Sequence, residues 1–226
     1  MPQLDESVMI KSLGSTYWRW IQYQEKTLWC WNATTISVAN FYANAEVWTQ
    51  CGFAAAVLNR DDSRLADQRP FRCCPGDELR GDCNQGWWPD FGPLQQAGIQ
   101  VPVAAGDRHR VDATWVGGRW VEVRRLTELT KNEVKAEIDA GRPIIMNIGW
   151  GGGLSGHIVN IWGYSYRPET GELVHVWVHD PWEDTGGVYE GMEDTPIMWV
   201  AWETLFGGYP GGPNGTWNRT FKTRRN

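Results

Sequence analysis

The first half of the chain spaces its apolar and polar residues with the period of a helix. From Cys30 onward, residues of one face recur every three or four positions, which predicts a central helix over residues 30–44. A second helix is predicted over residues 46–58. The next segment, 59–88, is rich in Asp, Arg, Gly and Cys, and its weak periodicity predicts a long loop held by cross-links.

The second half carries short apolar runs that are separated by turn residues, as is typical of strands. Thr130 and Glu133 form a capping-box pattern that opens one more helix, which runs to Ala140. The predicted strands lie within residues 101–125, 143–148, 157–166, 173–180, 197–200 and 216–222. We therefore predict an α+β fold in which a helical half precedes an antiparallel sheet half.

Length and charge limit the classes of protein. The 226 residues predict one domain over residues 17–226 behind a flexible N-terminal arm, residues 1–16. A formal net charge of -6 and the lack of a dense basic cluster argue against a nucleic-acid partner. No apolar run reaches the roughly 20 residues of a membrane helix. Residues 1–13 lack a basic start and an apolar core, so no signal peptide is predicted.

The five cysteines divide into one and four. Cys30 stands apart at the start of the central helix, whereas four cysteines lie close together in the chain and suggest two disulfides, namely Cys51, Cys73, Cys74 and Cys83. Adjacent cysteines pair poorly with each other, so each should pair outward, in an order that the sequence leaves open. The alternative is a structural zinc site, which lacks the usual C-x-x-C spacing and a nearby His. Disulfides indicate an oxidising destination.

The position of Cys30 suits a nucleophile. The positive end of a helix macrodipole favours the anionic thiolate, which is the reactive form. Gln24 lies six residues upstream, where its amide could donate to an oxyanion that forms beside the sulfur.

A thiol nucleophile needs a base, and the base needs an orienting partner. Among four His residues, His157 is the best candidate base, because it follows a glycine-rich loop and begins an apolar strand. Strand parity turns Asp180 inward, where a carboxylate needs a partner such as an imidazole. His179 is the reserve base. Each residue also has a plainer interpretation: an inert buried thiol, a core histidine or a turn aspartate.

The sixteen Trp residues are an unusual feature of the composition. One interpretation is packing of the core and its rim by large rings. The other is an aromatic cleft for an extended peptide or a sugar. In the second interpretation Trp29 and Trp31, which flank Cys30, contact substrate together with Gly156 beside His157.

Several motifs together resemble bacterial papain-like cysteine proteases, the group that includes avirulence proteases of plant pathogens and the peptidase domains of bacteriocin exporters. The matching motifs are Gln24 with Cys30-Trp31-Asn32-Ala33, Gly156-His157-Ile158-Val159, His179-Asp180-Pro181-Trp182, Cys73-Cys74 with Cys83-Asn84, Gly141-Arg142-Pro143 and Gly215-Thr216-Trp217. The resemblance spans residues 20–222. It implies a papain-like fold with Cys30 as nucleophile, His157 as general base and acid, Asp180 as orienting residue and Gln24 as oxyanion donor.

The predicted function is a thiol endopeptidase that needs neither cofactor nor metal, acts as a monomer on a protein substrate and, by the resemblance, cuts after Gly. The disulfides predict export, and because no leader is visible, either a leader was removed or the protein leaves by a route independent of a signal peptide. The family resemblance implies that the second case is an effector or toxin delivered into target cells. Such an effector would need an immunity protein in its producer. The alternatives are a Cys-dependent deamidase or acyltransferase, which share the thioester step, and a Trp-rich binding module without catalysis.

Overall fold

The computed structural model describes residues 8–61, 71–74, 83–86, 96–100, 109–116, 119–126, 128–150, 155–182, 197–210 and 214–225. The helices are α1 (Gly14–Trp18), α2 (Cys30–Ala43), α3 (Gln50–Asp61), α4 (Lys131–Asp139) and a 3-10 turn at Trp202–Leu205. The strands are β1 (Met9–Ser12), β2 (Ile99–Gln100), β3 (His109–Val116), β4 (Arg119–Leu126), β5 (Ile144–Trp150), β6 (Ser155–Tyr166), β7 (Leu173–His179), β8 (Ile197–Ala201), β9 (Phe206–Tyr209), β10 (Gly215–Lys222) and β11 (Arg224–Arg225).

In the described part of the chain, nine strands form one antiparallel sheet. Its order is β3-β4-β10-β5-β6-β7-β8, with β1 beside β6 and β9 beside β10, while β2 and β11 pair separately. Apart from β1, the described strands of this sheet follow the helices α2 and α3 in the chain. The predicted α+β class, with helices ahead of an antiparallel sheet, is therefore confirmed, and the arrangement is consistent with a papain-like fold.

The central helix α2 is buried on every side, since residues 31–40 are all shielded from solvent. Its hydroxyl side chains are tolerated there because they donate within the helix, as Thr35 does to Trp31 O (2.6 Å) and Ser37 to Ala33 O (2.8 Å). The helix ends at Asn44, whose φ of 52° is the left-handed conformation that Asn adopts readily. The helix predicted over 30–44 is thus present.

Two hydrophobic clusters lie on opposite faces of the sheet. One joins α4 to the sheet through side chains such as Val134, Ile144 and Val159. The other joins α2 to the sheet through Trp31, Ile36, Ile158 and Trp162. Because side chains alternate along a strand, β6 contributes Ile158 to one cluster and Val159 to the other. The sheet is therefore covered by a helix on each face.

Two boundaries predicted from the sequence are wrong. The second helix begins at Gln50 rather than at residue 46, because Asn40 Oδ1 accepts from the backbone N–H of Val47 (2.9 Å) and holds a turn there. Residues 9–16 do not form part of a flexible arm, because β1 pairs with β6 and α1 follows at Gly14. Residues 1–7 of the predicted arm lie outside the described residues.

The helix α4 begins as its capping box predicts. Thr130 Oγ1 accepts from the backbone N–H of Glu133, and the Glu133 carboxylate accepts from the backbone N–H of Thr130 (2.7 Å). Both of these orphan N–H groups at the helix start are thereby satisfied.

Two disulfides link the four clustered cysteines, Cys51 to Cys74 and Cys73 to Cys83. Neighbouring residues of an extended chain point to opposite sides, so Cys73 and Cys74 reach different partners. The prediction that each pairs outward is confirmed, and the structure supplies the order. The zinc alternative is wrong, because disulfide sulfurs are not thiolate ligands.

Candidate active site

Cys30 is the first residue of α2 and the free cysteine of the chain, with a half-buried side chain. The N-cap is Trp29, which makes no side-chain cap. The first N–H groups of a helix have no carbonyl within the helix to bind, so the Cys30 sulfur stands beside backbone donors and the positive end of the dipole.

His157 joins Cys30 to Asp180. Its Nε2 lies 2.6 Å from Asp180 Oδ1, and the Cys30 side chain is near enough to raise the pKa of the ring. An imidazole has two ring nitrogens, so Nδ1 is left for the sulfur. The antiparallel register, which pairs Asn160 of β6 with His179 of β7, brings the end of β7 beside His157. Side chains that are far apart in the sequence thus converge at one point.

Burial and charge set the protonation of this cluster. His157 is 8% exposed, and burial alone would lower its pKa, but Asp180 and then Cys30 raise it to about 10. Burial would raise the pKa of Asp180, yet the charge and hydrogen bond of His157 hold it below its ordinary value. The imidazolium and the carboxylate are therefore both charged at neutral pH.

Asp180 is held by more than His157. Its Oδ1 also accepts from the backbone N–H of Trp182 (3.0 Å), and its Oδ2 accepts from the hydroxyl of Tyr209 (2.9 Å). The Trp182 ring is 40% exposed and stands nearly perpendicular to the His157 ring at 6.3 Å. The sequence motif included Trp182 without a role, and it gave no signal for Tyr209.

The comparison with family models decides the relationship. The model of the Peptidase_C39 like family matches residues 20–205, which include Cys30, His157 and Asp180.

The chain belongs to the Peptidase_C39 like family.

This family membership supports cysteine peptidase activity for the chain. The comparison with curated proteins gives no match.

In this family member, Gln24 is joined to the residue that follows Asp180. Its backbone N–H donates to Pro181 O (2.8 Å). Its side-chain Nε2 donates to Lys26 O (3.0 Å) and Thr27 O (2.8 Å). Both amide hydrogens are therefore engaged within the loop, and its role as oxyanion donor stays a prediction.

Gln50 holds the first part of the loop that leads to Cys30. Its Oε1 accepts from the backbone N–H of Glu25 (2.9 Å), while its Nε2 donates to Tyr23 O (2.6 Å). The backbone carbonyl of Gln50 accepts from Asn32 Nδ2 in α2 (2.8 Å). One residue at the start of α3 thus ties the loop to the central helix.

His179, the reserve base, is a structural residue. It is fully buried, and desolvation lowers its pKa to about 4, so the ring is neutral. Its Nε2 lies 2.9 Å from Gln22 O and its Nδ1 lies 3.4 Å from Asn160 Nδ2. A neutral ring donates to the carbonyl and accepts from the amide, so both nitrogens are occupied. The alternative in which His179 serves Cys30 as base is corrected accordingly.

The cross-linked segment 83–86 holds the second part of the loop. Asn84 Oδ1 accepts from the backbone N–H of Leu28 (2.8 Å), and its Nδ2 donates to Thr27 Oγ1 (2.8 Å). The carbonyl of Cys83 accepts from Trp29 Nε1 (2.6 Å). The disulfide from Cys73 to Cys83 therefore fixes residues that bond directly to the start of α2.

Trp29 and Trp31 are not substrate contacts. Both are 0% exposed, and their indole N–H groups donate to Cys83 O and to Gln85 O (2.9 Å). Flanking positions in a sequence do not reveal which ring faces solvent, and here the segment 83–86 covers both. The prediction is wrong for these two residues, which anchor that segment to α2.

Gly156 is exposed beside His157 and remains a predicted substrate contact. A Cβ at this position would lie 2.7 Å from Asn147 Oδ1, so the Asn147 side chain can approach β6 this closely only because residue 156 is Gly.

A cluster of metal-binding side chains and a helix that could span a membrane are both missing from the described part of the chain. No group of three or more His, Cys, Asp or Glu side chains there is arranged to hold a metal ion. No helix within the described ranges has the length and apolar character that crossing a membrane requires.

The disulfide from Cys73 to Cys83 should matter for Cys30. We expect the Cys73→Ser/Cys83→Ser variant to lose roughly 3 kcal/mol of the free energy of unfolding, because the unfolded chain gains freedom. We also expect slower alkylation of Cys30, since Asn84 and the Cys83 carbonyl are no longer held. Denaturant titration and the rate of reaction with iodoacetamide measure the two effects.

The matched control is Cys51→Ser/Cys74→Ser, which opens the other disulfide. Within the described contacts of the chain, neither Cys51 nor Cys74 hydrogen-bonds to residues 27–31. This variant should lose comparable stability and keep most of the Cys30 reactivity. Equal alkylation rates in the two variants would show that the segment 83–86 does not position the start of α2.

Proposed function

We propose that this chain is a thiol endopeptidase that uses Cys30, His157 and Asp180. The Cys30 thiolate attacks the carbonyl carbon of a peptide bond, and a C–S bond forms as the carbonyl oxygen becomes an oxyanion. The His157 imidazolium gives its Nδ1 proton to the leaving amine, the C–N bond breaks, and a thioester remains. His157 then takes a proton from water, the hydroxide displaces the sulfur, and the acid product leaves.

The observation that carries this proposal is that His157 is hydrogen-bonded to Asp180 and lies near enough to Cys30 for the two side chains to affect each other's protonation. The ring can exchange a proton through Nδ1, on the side of the Cys30 sulfur, without any change of fold, because Nε2 stays hydrogen-bonded to Asp180. Asp180 fixes the ring orientation and stabilises its charged form. Family membership supports the same chemistry independently of the geometry.

The oxyanion would accept hydrogen bonds from the backbone N–H of Cys30 and from the side-chain amide of Gln24. The Gln24 amide donates to Lys26 O and Thr27 O, so an oxyanion would have to share or replace one of these bonds. Removal of such a donor costs about 10²–10³ in kcat for a well-formed oxyanion hole.

The proposed substrate is an extended protein segment with Gly before the scissile bond. This preference rests on the family resemblance, and Gly156, which is exposed beside His157, is the proposed contact for the substrate. Cleavage of a proteome-derived peptide library, read by mass spectrometry, gives the preferred residue. A preference for a bulky residue at that position would remove the Gly proposal while leaving the peptidase intact.

The same library tests the reaction type. Peptidase action produces new termini that are absent with Cys30→Ala. A deamidase would instead add about one dalton to Gln or Asn side chains, and an acyltransferase would give products joined to a second amine. If the peptides stay intact with both the wild type and Cys30→Ala, the alternative of a Trp-rich binding module without catalysis is favoured.

We propose that the natural target lies outside the reducing cytosol, as an exported effector would require. The two disulfides support an oxidising destination. An immunity or inhibitor protein that covers the Cys30 site in the producer is the expected partner. Proteomics of cleaved termini in cells that make the wild type or Cys30→Ala in an oxidising compartment would identify the target, and identical termini in both would contradict the proposal.

A further inference from the structure

Tyr209 is a buried residue of β9 whose hydroxyl faces Asp180. Its side chain is 1% exposed, and the hydroxyl lies 2.9 Å from Asp180 Oδ2 and 3.7 Å from Met198 Sδ. The carboxylate is the much stronger acceptor of the two, so the O–H donates to Asp180. A Phe at this position would fill the same space without the donor.

We propose that Tyr209 is a positioning residue for Cys30, His157 and Asp180, because its hydroxyl fixes the rotation of the Asp180 carboxylate and stabilises its ionised form. The inference rests on the proposed function, since it gives Tyr209 a task within that site.

The geometry of Asp180 explains why this donor matters. His157 and the Trp182 N–H both bind Oδ1, which leaves the carboxylate free to turn about its own axis unless Oδ2 is held as well. Tyr209 supplies that second point of attachment. With both oxygens held, Oδ1 stays aimed at His157 Nε2, and the ring in turn keeps its other nitrogen toward Cys30.

The Tyr209 ring is itself held by its neighbours. Trp150, at the end of β5, packs against it with ring centroids 6.4 Å apart. A Cβ at Gly215 would lie 2.4 Å from the Trp150 ring and 2.9 Å from the Tyr209 carbonyl oxygen. Only glycine therefore allows β5, β9 and β10 to bring these two rings together behind Asp180.

The charged and titratable neighbours of Asp180 define what a pH experiment can report. In the described part of the chain they are His157 from β6, Tyr209 from β9 and His179, which precedes Asp180 in the chain. His179 is neutral above about pH 4, because burial lowers its pKa. Loss of the Tyr209 hydroxyl therefore acts on Asp180 and, through it, on His157.

The test compares Tyr209→Phe with the wild type by the rate of Cys30 alkylation with iodoacetamide as a function of pH. Protonation of Asp180 withdraws the charge that supports the imidazolium, and the thiolate is then less favoured. Without the Tyr209 donor, Asp180 takes up its proton at higher pH. We expect the acid limb of the alkylation profile to move up by about one pH unit.

Tyr164→Phe is the matched control. Tyr164 is also 1% exposed and also donates its hydroxyl to a carboxylate, Asp139 (2.7 Å), but it lies seven residues from His157 along β6, roughly 23 Å at the rise of a strand. Its loss removes a comparable bond and should leave the alkylation profile unchanged. An equal shift in both variants would mean that Tyr209 acts only through general stability.

A double variant separates positioning from other effects. In an Asp180→Asn background no carboxylate is left to stabilise, so Tyr209→Phe should produce no further shift. A shift of the same size in that background, or an unchanged profile in Tyr209→Phe alone, would overturn the inference. Alkylation needs no peptide substrate, so failure of the peptidase proposal would appear separately, as missing cleavage by the wild type.

Discussion

A His157→Ala variant is expected to hydrolyse the best library peptide at least about 10³-fold more slowly in kcat/KM than the wild type. The loss is large because one ring performs three tasks: it supports the thiolate, protonates the leaving amine and activates water. The truncated side chain can do none of them. Initial rates at several substrate concentrations, with circular dichroism to verify the fold, measure the effect.

His175→Ala is the matched control for that variant. His175 lies on β7, is half-buried, stacks on Trp199 (5.1 Å between ring centroids) and lies 3.0 Å from Ser165 Oγ. Its removal loses packing contacts, but the His175 side chain touches no residue of the site, so kcat/KM should change little. If both variants keep wild-type activity, His157 is not the general base and the proposed mechanism is wrong.

The second large effect is expected at Asp180, where Asn and Leu should behave differently. An Asn amide can still accept from His157 through its oxygen, and its NH₂ group can donate to the Tyr209 hydroxyl. Leu leaves a buried imidazole N–H without a partner and should lower kcat/KM by about 10²-fold or more. Asn should keep the ring oriented and remove only the charge.

Loss of that charge should appear in the pH profile. The pKa of His157 is raised to about 10. The ring is therefore fully protonated at pH values below the ordinary pKa of a histidine, and it loses its proton as the pH rises through about 10. Without the Asp180 charge this raised pKa falls, and the alkaline limb of kcat/KM should move down by one unit or more.

Asp139→Asn provides the comparison, because Asp139 accepts from Tyr164 at a distance from the site. The Asp139→Asn variant should leave both the acid and the alkaline limb of the pH profile of kcat/KM unshifted. An unshifted alkaline limb in Asp180→Asn would show that Asp180 does not set the protonation of His157.

The parts of this site that the sequence could predict depend on local rules. A helix period beginning at Cys30 places the thiol at a helix start, and strand parity turns Asp180 inward. Both arguments use only near neighbours in the chain. They hold because α2 begins at Cys30 and β7 ends directly before Asp180, as the sequence pattern predicts.

The parts that the sequence missed depend on contacts between distant segments. Trp29 and Trp31 look like cleft residues until the segment 83–86 is placed over them. Tyr209 lies 29 residues from Asp180 in a glycine-rich stretch, where no spacing rule connects the two. Such contacts follow from how strands pair in three dimensions, which a single sequence does not encode in a readable pattern.

The central claim is that His157 and Asp180 activate Cys30, and thiol mapping tests it most directly. The wild type and His157→Ala are treated with iodoacetamide at pH 6, and the rate of Cys30 alkylation is followed by peptide mass spectrometry against free glutathione. The account predicts that Cys30 reacts far faster than glutathione in the wild type and no faster than glutathione in His157→Ala. Equal, slow alkylation of Cys30 in both proteins would contradict it.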